Sequence, residues 1–334
     1  MSYIALESAE APEAVARFLE LNNAKIVELG KQLRKSPPQT IITSARGSSD
    51  NAAGYFKYIT EIQTGIPCCS IGASVVSVYG AKLQVKNGLC LTISQSGKSP
   101  DIVALQEAAK KSGALTVALV NVEESPAATS ADICLPLYAG SEQSVAATKS
   151  LIVSLAASAA IVAHWLNRKE LLNAMARLPE VLAKAAEITW PEAVELAAAN
   201  DSLYVLGRGP ALPIAAETAL KLKETCAIHA EAYSIAEVMH GPLELLSKDF
   251  PVLTYAPDDQ SNATTQAAIQ KMRATGAKVL AIGNEGLNYV KSGHPLLNPI
   301  SMIQTSYGFI EATARALGRN PDHPRLLKKV TETV

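Results

Sequence analysis

The chain has 334 residues and a mass of 35.2 kDa, which at about 150 residues per domain predicts two domains. Its 30 basic and 31 acidic residues leave a formal net charge of −1, and aromatic residues make up 5%, so we expect no nucleic-acid-binding and no membrane-binding surface. The 48% hydrophobic content provides material for a core and excludes a disordered chain.

Cysteine usage and the N-terminal segment indicate the compartment. The five cysteines are an odd number without CxxC spacing, which excludes a disulfide framework and a structural zinc site. Glu7, Glu10 and Glu13 stand where a signal peptide would have a basic head and an apolar run. The longest apolar stretch, 151–163, is too short to span a bilayer and predicts a buried helix. We therefore expect a soluble cytoplasmic protein without a metal site.

In chain order, the predicted elements form a repeat. An amphipathic helix over residues 1–30 precedes a strand that ends at Arg46-Gly47 and enters a helix, and the same pattern returns around Arg208-Gly209. Gly113 and Gly276, each ahead of a further apolar strand, have nearly the same separation of about 160 residues. Short apolar runs alternate with amphipathic helices in both halves, which is typical of βαβ units in a parallel sheet covered on both faces. The chain therefore predicts a duplicated α/β domain.

The predicted boundaries follow from this repeat. We expect a first domain over 31–170, a helical linker over 171–195, and a second domain over 196–334. Open parallel sheets bind ligands at the carboxyl ends of their strands, where strand-to-helix turns meet helix N-termini. Those turns are where a site is expected.

A serine-rich turn over 94–99 follows one strand of the first half and leads into a helix that starts at Pro100. Hydroxyl donors, a glycine and a helix N-terminus attract a phosphate ester, and Ser48 and Ser49 follow a neighbouring strand in the same way. The predicted phosphate ligands are Ser49, Ser94, Gln95, Ser96 and Ser99. The alternative is that Ser99 and Asp101 form only a helix cap. Gly-Lys-Ser/Thr with Walker spacing is missing, so a nucleotide is not favoured.

The second half carries Asp258 and Asp259 at the corresponding turn, which would repel phosphate. We therefore expect one phosphate site per chain. The second half also carries Glu217, Lys221 and Glu224 at i, i+4 and i+7 of a predicted helix, so they share one face. That face is either a solvated salt-bridge surface or an acid/base site.

Six segments in order resemble the sugar isomerase (SIS) family, and specifically the isomerase half of glutamine–fructose-6-phosphate aminotransferase. These segments are 94–97, 144–149, 217–224, 228–233, 240–243 and 324–331. The resemblance implies two tandem SIS domains of flavodoxin-like three-layer α/β/α architecture, the first of them phosphosugar-binding. It also implies a homodimer with a site shared between subunits, and no cofactor.

The resemblance also implies roles for individual residues. Glu224 would shuttle a proton between C1 and C2 of the sugar, Lys221 would support the developing charge, and His240 would open the sugar ring in the neighbouring subunit's site. Lys329, with Lys328 beside it, would engage the sugar carbonyl as a Schiff base or polarise a substituent at C2. The residues expected to contact the sugar elsewhere are Ser48, Val145 and Ala147.

The expected activity follows from a departure of this chain's N-terminal segment from the aminotransferase pattern, which carries a glutaminase domain with a first cysteine that releases ammonia from glutamine. The chain enters its first sugar-binding half after about forty residues, with no cysteine before Cys68, so we expect no glutaminase activity. It resembles the stand-alone alternative glucosamine-6-phosphate deaminases, which yield fructose 6-phosphate and ammonia. The alternatives are an isomerase or deglycase of another amino or Amadori sugar phosphate, a synthase-like isomerase without the glutaminase, and a non-catalytic sugar-phosphate-binding regulator. The expected partner is a small sugar phosphate.

Overall fold

The computed structural model describes residues 1–283, 285–327 and 329. Its strands are β1 (Ile41–Ser44), β2 (Cys68–Ser70), β3 (Leu89–Ser94), β4 (Leu115–Val120), β5 (Ile133–Pro136), β6 (Ser202–Gly207), β7 (His229–Ser234), β8 (Pro251–Ala256) and β9 (Lys278–Gly283). Its helices are α1 (Tyr3–Ala9), α2 (Ala11–Lys35), α3 (Ser48–Thr64), α4 (Ser74–Ser77), α5 (Pro100–Lys111), α6 (Pro126–Ser130), α7 (Lys149–Leu166), α8 (Lys169–Ala176), α9 (Leu178–Ala186), α10 (Pro191–Ala198), α11 (Leu212–Lys221), α12 (Ile235–Val238), α13 (Asn262–Ala274) and α14 (Asn298–Ala316).

The first sheet, here the N-sheet, is parallel and has the order β2-β1-β3-β4-β5. Ile41 of β1 lies opposite Cys68 on one side and Leu89 on the other. Every residue of β1 and β3 is buried, as expected for parallel strands covered on both faces. α3 packs with α7, while α5 packs with α4 and α6. This strand order is the flavodoxin-like one, with its switch point between β1 and β3.

The second sheet, here the C-sheet, is also parallel and has the order β7-β6-β8-β9. Leu253 of β8 lies opposite Val205 of β6 and Leu280 of β9. α11, α9 and α10 pack with α14, and α12 packs with α13. The predicted duplicated α/β fold is confirmed, although among the described residues the C-sheet has four strands and the N-sheet five.

The chain divides into two compact units that are not contiguous in sequence. The N-sheet unit consists of Glu13–Glu142 and Lys149–Ala176 together with Lys329, and the C-sheet unit consists of Met1–Pro12, Gln143–Thr148 and Arg177–Leu327. The predicted boundaries at 30, 170 and 195 do not coincide with these units. The helix predicted over residues 1–30 is two helices, of which α2 continues to Lys35, and the predicted linker over 171–195 covers most of α8, all of α9 and the start of α10.

The attachment of the first residues to the C-sheet unit has a hydrogen-bonding reason. Helix α1 packs against α14, and its first backbone N–H groups need acceptors. Asp322 supplies them, since its carboxylate accepts from Tyr3 N at 2.8 Å and from Ile4 N at 3.0 Å. These long-range bonds cannot be inferred from the local sequence pattern.

The buried helix predicted over 151–163 corresponds to α7. Of the described helices, α7 alone is long and apolar enough to cross a membrane, and 89% of it is buried inside the structure. Ser154 and Ser158 satisfy their hydroxyls by donating to the carbonyl oxygens four residues earlier, at 2.8 Å in both cases. α7 is therefore a buried helix, as predicted.

Candidate active site

Two strand-to-helix turns meet at the carboxyl ends of β1 and β3, which are neighbours in the N-sheet. The chain continues from β1 to β2 on one side and from β3 to β4 on the other, which makes this the switch point, where open parallel sheets bind ligands. Ser48 and Ser49 begin α3, and Ser99 is the N-cap residue of α5. Both serine-rich turns predicted to bind phosphate therefore lie at the same edge of this sheet.

The turn between β3 and α5 is shaped by its own hydroxyls. Ser94 Oγ accepts the Gly97 N–H at 3.0 Å, and Ser96 Oγ accepts the Lys98 N–H at 3.4 Å. The Ser99 hydroxyl makes no capping hydrogen bond. Ser99 therefore occupies the N-cap position of α5 with a hydroxyl that is not used in capping. Gln95, Ser96 and Ser99 are partly exposed, so their polar groups can reach a ligand.

An ion pair that sequence analysis missed joins the two turns. Arg46 Nε donates to Asp101 Oδ2 at 2.6 Å, and the Asp101 carboxylate is fully buried. The other carboxylate oxygen of Asp101 accepts the Ile102 N–H at 2.8 Å. Burial raises the pKa of Asp50 in the first turn of α3, which the hydrogen bond from Ser70 and the charge of Arg46 oppose. The pairing fixes the spacing of the turns, and an arginine two residues after a strand was its one sequence signal.

Gly97 is required in this turn for two separate reasons. Its φ is +63°, and a Cβ added to it would stand 2.1 Å from Ser125 Oγ and 2.7 Å from Ser125 Cβ. Ser125 cannot move away without losing a hydrogen bond, because its hydroxyl caps α6 by accepting from Ala128 N. An alanine at position 97 must therefore displace α6 or the turn.

Gly97→Ala is expected to lower the free energy of unfolding by about 2 kcal/mol, through backbone strain and overpacking together. Gly65→Ala is the matched control, because Gly65 has φ +71° and no neighbour within 4 Å of an added Cβ. The control is expected to lose about 1 kcal/mol. Urea denaturation measures both losses, and equal losses would mean that Ser125 does not constrain the turn.

The predicted acid/base face of the C-sheet unit is a buried charge cluster. Lys221 Nζ lies 2.5 Å from Glu224 Oε2 and 3.6 Å from Glu217 Oε1. The side chains of Lys221 and Glu217 are 1% and 0% exposed, whereas that of Glu224 is 23% exposed. A solvated salt-bridge surface is therefore excluded. Glu224 is the member of the cluster that a ligand can reach.

A π-helical turn positions Glu224. Helix α11 ends at Lys221, and the next five residues, Leu222–Cys226, form the π turn, which Ala227 closes at φ +53°. Single π turns at the ends of α-helices occur frequently at functional sites. The wider turn rotates Glu224 relative to a continuous α-helix. Simple i, i+4, i+7 spacing therefore predicted the cluster but not the geometry that forms it.

Two tyrosines that sequence analysis missed support the cluster. Tyr307 OH donates to Glu217 Oε1 at 3.3 Å. Tyr255 OH lies 2.6 Å from Thr218 Oγ1 and 2.5 Å from Ser306 Oγ. Burial raises the pKa of Tyr255 to about 12, and the negative charge of Glu217 adds to this while the two hydrogen bonds oppose it. Tyr255 therefore remains a neutral hydroxyl. The contacts of α11 with residues of α14 cannot be predicted from residue spacing in the sequence.

His240 lies elsewhere on the C-sheet unit. It follows α12, its backbone N–H donates to Glu237 O at 3.0 Å, and it is exposed. Together with Arg208 and Lys271 it lines a surface cavity of about 280 Å³. Neither Lys221 nor Glu224 lines this cavity.

Lys329 belongs to the N-sheet unit. Its Nζ lies 3.5 Å from Glu142 Oε2, and the Glu142 side chain is fully buried. Glu142 also accepts from Ser150 N at 3.2 Å and from Ser150 Oγ at 2.7 Å. No local pattern in the sequence marks Glu142 as a neighbour of Lys329. Lys328, the other candidate in this tail, lies outside the described residues.

The predicted sugar-contacting residues Val145 and Ala147 lie in the segment Gln143–Thr148, which belongs to the C-sheet unit. Both are partly exposed. Glu7 of α1 holds this segment, because its Oε2 accepts from Ser144 N at 3.2 Å and its Oε1 accepts from Gln143 N. Val145 and Ala147 keep part of their surface accessible to a ligand.

Within residues 1–283, 285–327 and 329, no group of three or more His, Cys, Asp or Glu side chains is arranged to hold a metal ion. The described site groups are hydroxyls, helix N-termini, one buried Lys–Glu cluster and a histidine. Such groups bind an anion and move protons.

These features define a duplicated, doubly wound α/β protein with two serine-rich turns at the switch point of its first sheet. The SIS domain profile matches residues 33–163 and 195–295. The chain belongs to the SIS domain family, as the sequence motifs predicted.

Individual relatives agree with this assignment. The chain is 34% identical over 328 residues to a glutamine–fructose-6-phosphate aminotransferase (isomerizing) of Thermus thermophilus, and the match covers 91% of this chain and 54% of that protein. The chain thus spans about half the length of the curated relatives it matches, in the part that holds their isomerase half. A solved structure of a candidate phosphosugar isomerase from Silicibacter pomeroyi DSS-3 is 42% identical with a TM-score of 0.93, covering 96% of this chain and 100% of that one.

A glucosamine-6-phosphate deaminase of Thermotoga maritima shares the fold. Its structure has a TM-score of 0.78 and 22% identity, and covers 99% of this chain and 100% of that chain. At this identity the likeness extends to the fold alone. The chain is accordingly an SIS-family protein related to phosphosugar isomerases.

Proposed function

We propose that the protein is a glucosamine-6-phosphate deaminase that converts its substrate to fructose 6-phosphate and ammonia. The observation that carries this proposal is the Lys221–Glu224 pair, in which a reachable carboxylate is bound to a buried ammonium. A sugar-phosphate sensor has no use for such a proton-transfer pair, whereas an aldose–ketose conversion needs one. Kinship with the isomerase half of an aminotransferase that acts on a fructose phosphate supports the choice of sugar.

In this proposal the serine turns of the N-sheet hold the phosphate. The first backbone N–H groups of α3 and α5, with the hydroxyls of Ser49, Ser96 and Ser99, donate to its oxygens. The ion pair of Arg46 with Asp101 keeps the two helix N-termini at a constant separation. Because these donors are neutral, they hold a phosphate monoester without trapping the product.

The chemical step is a proton transfer followed by hydrolysis. His240 assists ring opening, and Glu224 then removes the proton from C2 of the open-chain amino aldose. The electron pair forms a C1–C2 enolamine, whose developing negative charge the Lys221 ammonium stabilises. Glu224 returns the proton to C1, leaving an imine at C2. Water adds to that imine and ammonia leaves, so the products are fructose 6-phosphate and ammonia. Lys329 polarises the nitrogen at C2 in this scheme.

The test of the proposal is ammonia release by the purified protein from glucosamine 6-phosphate, without added metal or nucleotide. We expect one fructose 6-phosphate for each ammonia formed. A panel of N-acetylglucosamine 6-phosphate, other amino-sugar phosphates and Amadori sugar phosphates accompanies it. Turnover of another panel member alone would mean that this sugar phosphate, and not glucosamine 6-phosphate, is the substrate. Tight binding of fructose 6-phosphate with no turnover of any member would mean that the protein is a regulator.

We also propose that the enzyme is a cytoplasmic homodimer in which His240 serves the partner's site. The exposure of His240 and its position outside the Lys221–Glu224 cluster support this arrangement. A mixed dimer of Glu224→Gln and His240→Asn chains would then hold one doubly altered and one intact site.

Mixing the two inactive variants in equal amounts is expected to recover about a quarter of the wild-type activity, since half of the dimers are mixed and each has one working site of two. Subunit exchange is checked by mass spectrometry of isotope-labelled chains. Full exchange without recovered activity would place both residues in the site of one chain.

A further inference from the structure

Helix α1 is held at both ends by other residues of the C-sheet unit. Asp322 accepts from its first N–H groups, and the hydroxyl of Ser2, which precedes the helix, donates to Glu311 Oε1 of α14 at 2.9 Å. At the other end, Gln304 Nε2 of α14 donates to Ser8 O at 2.9 Å. The helix also packs against α14 and α9. These bonds make α1 a fixed part of the unit, although it has only seven residues.

Glu7 places a buried carboxylate on this fixed helix. The residue is 4% exposed, its Oε1 accepts from Gln143 N, and its Oε2 accepts from Ser144 N at 3.2 Å. A carboxylate that leaves water loses hydration free energy, which hydrogen bonds from N–H groups offset in part. An apolar side chain would pack α1 into the unit without this loss. The carboxylate therefore serves the segment whose two N–H groups it accepts.

Burial alternates residue by residue along this segment, Gln143–Thr148. Ser144, Ala146 and Thr148 are buried, whereas Val145 and Ala147 between them are partly exposed. Residues 137–148 form neither helix nor strand, so regular backbone hydrogen bonding does not hold them in this register. A shift by one residue would bury the two accessible side chains and expose the three buried ones.

The observed register opposes the hydrophobic preference of the segment. Ser144 and Thr148 are fully buried, while the more apolar Val145 keeps part of its surface accessible. Burial of a valine side chain stabilises a fold more than burial of a serine or threonine hydroxyl does. Side-chain hydrophobicity alone would therefore favour the opposite register. The two backbone bonds to Glu7 provide a contact that selects the observed one.

We propose that Glu7 is a positioning residue for sugar binding, which fixes the register of Gln143–Thr148 and thereby keeps Val145 and Ala147 accessible to the sugar phosphate. This inference rests on the proposed sugar-phosphate site, in which Val145 and Ala147 contact the sugar. It does not rest on the deaminase chemistry. Contacts made equally in the ground state and the transition state change binding and leave kcat unchanged, so the loss of Glu7 falls on affinity.

The test compares Glu7→Gln with wild type. Glutamine keeps the size of the side chain but offers one carbonyl oxygen, so one of the two N–H groups faces an amide donor. By isothermal titration calorimetry, the Kd for fructose 6-phosphate is expected to rise about ten-fold or more. The KM for glucosamine 6-phosphate is expected to rise by the same factor, with kcat within about two-fold of wild type.

A second readout follows the segment itself. Hydrogen–deuterium exchange, measured by mass spectrometry without ligand, is expected to become faster in peptides that cover 143–148 of Glu7→Gln. Glu7→Asp keeps both acceptor oxygens on a shorter side chain, so its Kd is expected to lie between those of wild type and Glu7→Gln. Glu7→Asp also supplies the comparison if Glu7→Gln does not fold, which circular dichroism checks.

Asn298→Ala is the matched control for a loss of stability. Asn298 is also buried in the C-sheet unit, and its Oδ1 accepts from Ser292 N at 3.0 Å and from Ser292 Oγ at 2.9 Å. The variant therefore frees another irregular segment of the same unit. It is expected to lower Tm to an extent similar to Glu7→Gln, while the Kd for fructose 6-phosphate stays within about two-fold of wild type.

Three results would overturn the role of Glu7. They are a Kd for Glu7→Gln within about two-fold of wild type, an equal loss of affinity in Asn298→Ala, and unchanged exchange over 143–148. A wild-type protein that binds no sugar phosphate would overturn this role together with the proposed site. A wild-type protein that binds fructose 6-phosphate but releases no ammonia would overturn only the deaminase, and the Kd comparison would still decide the role of Glu7.

Discussion

Glu224→Gln is expected to lower kcat for ammonia release by about 10²-fold or more, with little change in KM. Glutamine keeps the shape of the side chain and an oxygen that accepts from Lys221, so the cluster retains its packing. It cannot take a proton from carbon. The loss therefore falls on the transition state, and steady-state kinetics with a coupled ammonia assay measures it.

Two further variants serve as controls for the effect of Glu224→Gln on kcat. Glu195→Gln, at an exposed glutamate of α10 in the same unit, should leave kcat unchanged. Ser96→Ala removes a proposed phosphate donor and should raise KM much more than it lowers kcat. A rise in KM with unchanged kcat for Glu224→Gln would mark Glu224 as a binding group and would remove it from the proton-transfer step.

Lys221→Met is expected to destabilise the protein by about 3–5 kcal/mol. The substitution keeps the length and volume of the side chain but removes the cation from a site where Glu217 is 0% exposed. The Glu217 carboxylate then remains buried with its charge uncompensated, while Glu224 can turn toward solvent. Chemical denaturation followed by circular dichroism measures the loss.

A double variant separates the charge from the packing. Glu217→Gln/Lys221→Met removes both buried charges and should recover most of the stability that the single variant loses, because an uncharged pair leaves no ion without a partner. Lys223→Met is the surface control on the same π turn; its lysine is exposed and donates to Ala230 O at 3.0 Å, and the loss should stay below about 1 kcal/mol. A loss below about 1 kcal/mol for Lys221→Met alone would contradict the burial of the cluster as a source of stability.

The site residues that could be predicted from the sequence are those that a pattern of a few neighbouring residues identifies. Serines beside a glycine after an apolar strand identify a ligand turn, because a strand that enters a helix must expose helix N–H groups there. The spacing of Glu217, Lys221 and Glu224 identifies a shared helix face for the same local reason. The roles of these residues, and those of His240 and Lys329, rest on the family resemblance and on the experiments above.

Other parts of the site depend on contacts between distant segments. The spacing of Glu217, Lys221 and Glu224 fits a solvated surface and a buried cluster equally well. The cluster is buried because α14 packs over it, with Tyr307 donating a hydrogen bond to Glu217. The π turn at Leu222–Cys226 and the Arg46–Asp101 pair leave no periodic trace in the sequence. A buried ionic group needs a partner brought from elsewhere in the chain, and local spacing does not name that partner.

The sequence by itself determined the duplication, the alternation of strand and helix, the family and the serine turns, because each arises from neighbours along the chain and from the periods of helix and strand. Only the tertiary structure decided that Met1–Pro12 joins the C-sheet unit, that Lys221 is buried between two glutamates, and that Arg208 faces a cavity where Arg46 meets Asp101. The physical reason is that desolvation and charge compensation act through space, between groups whose separation along the chain carries no signal.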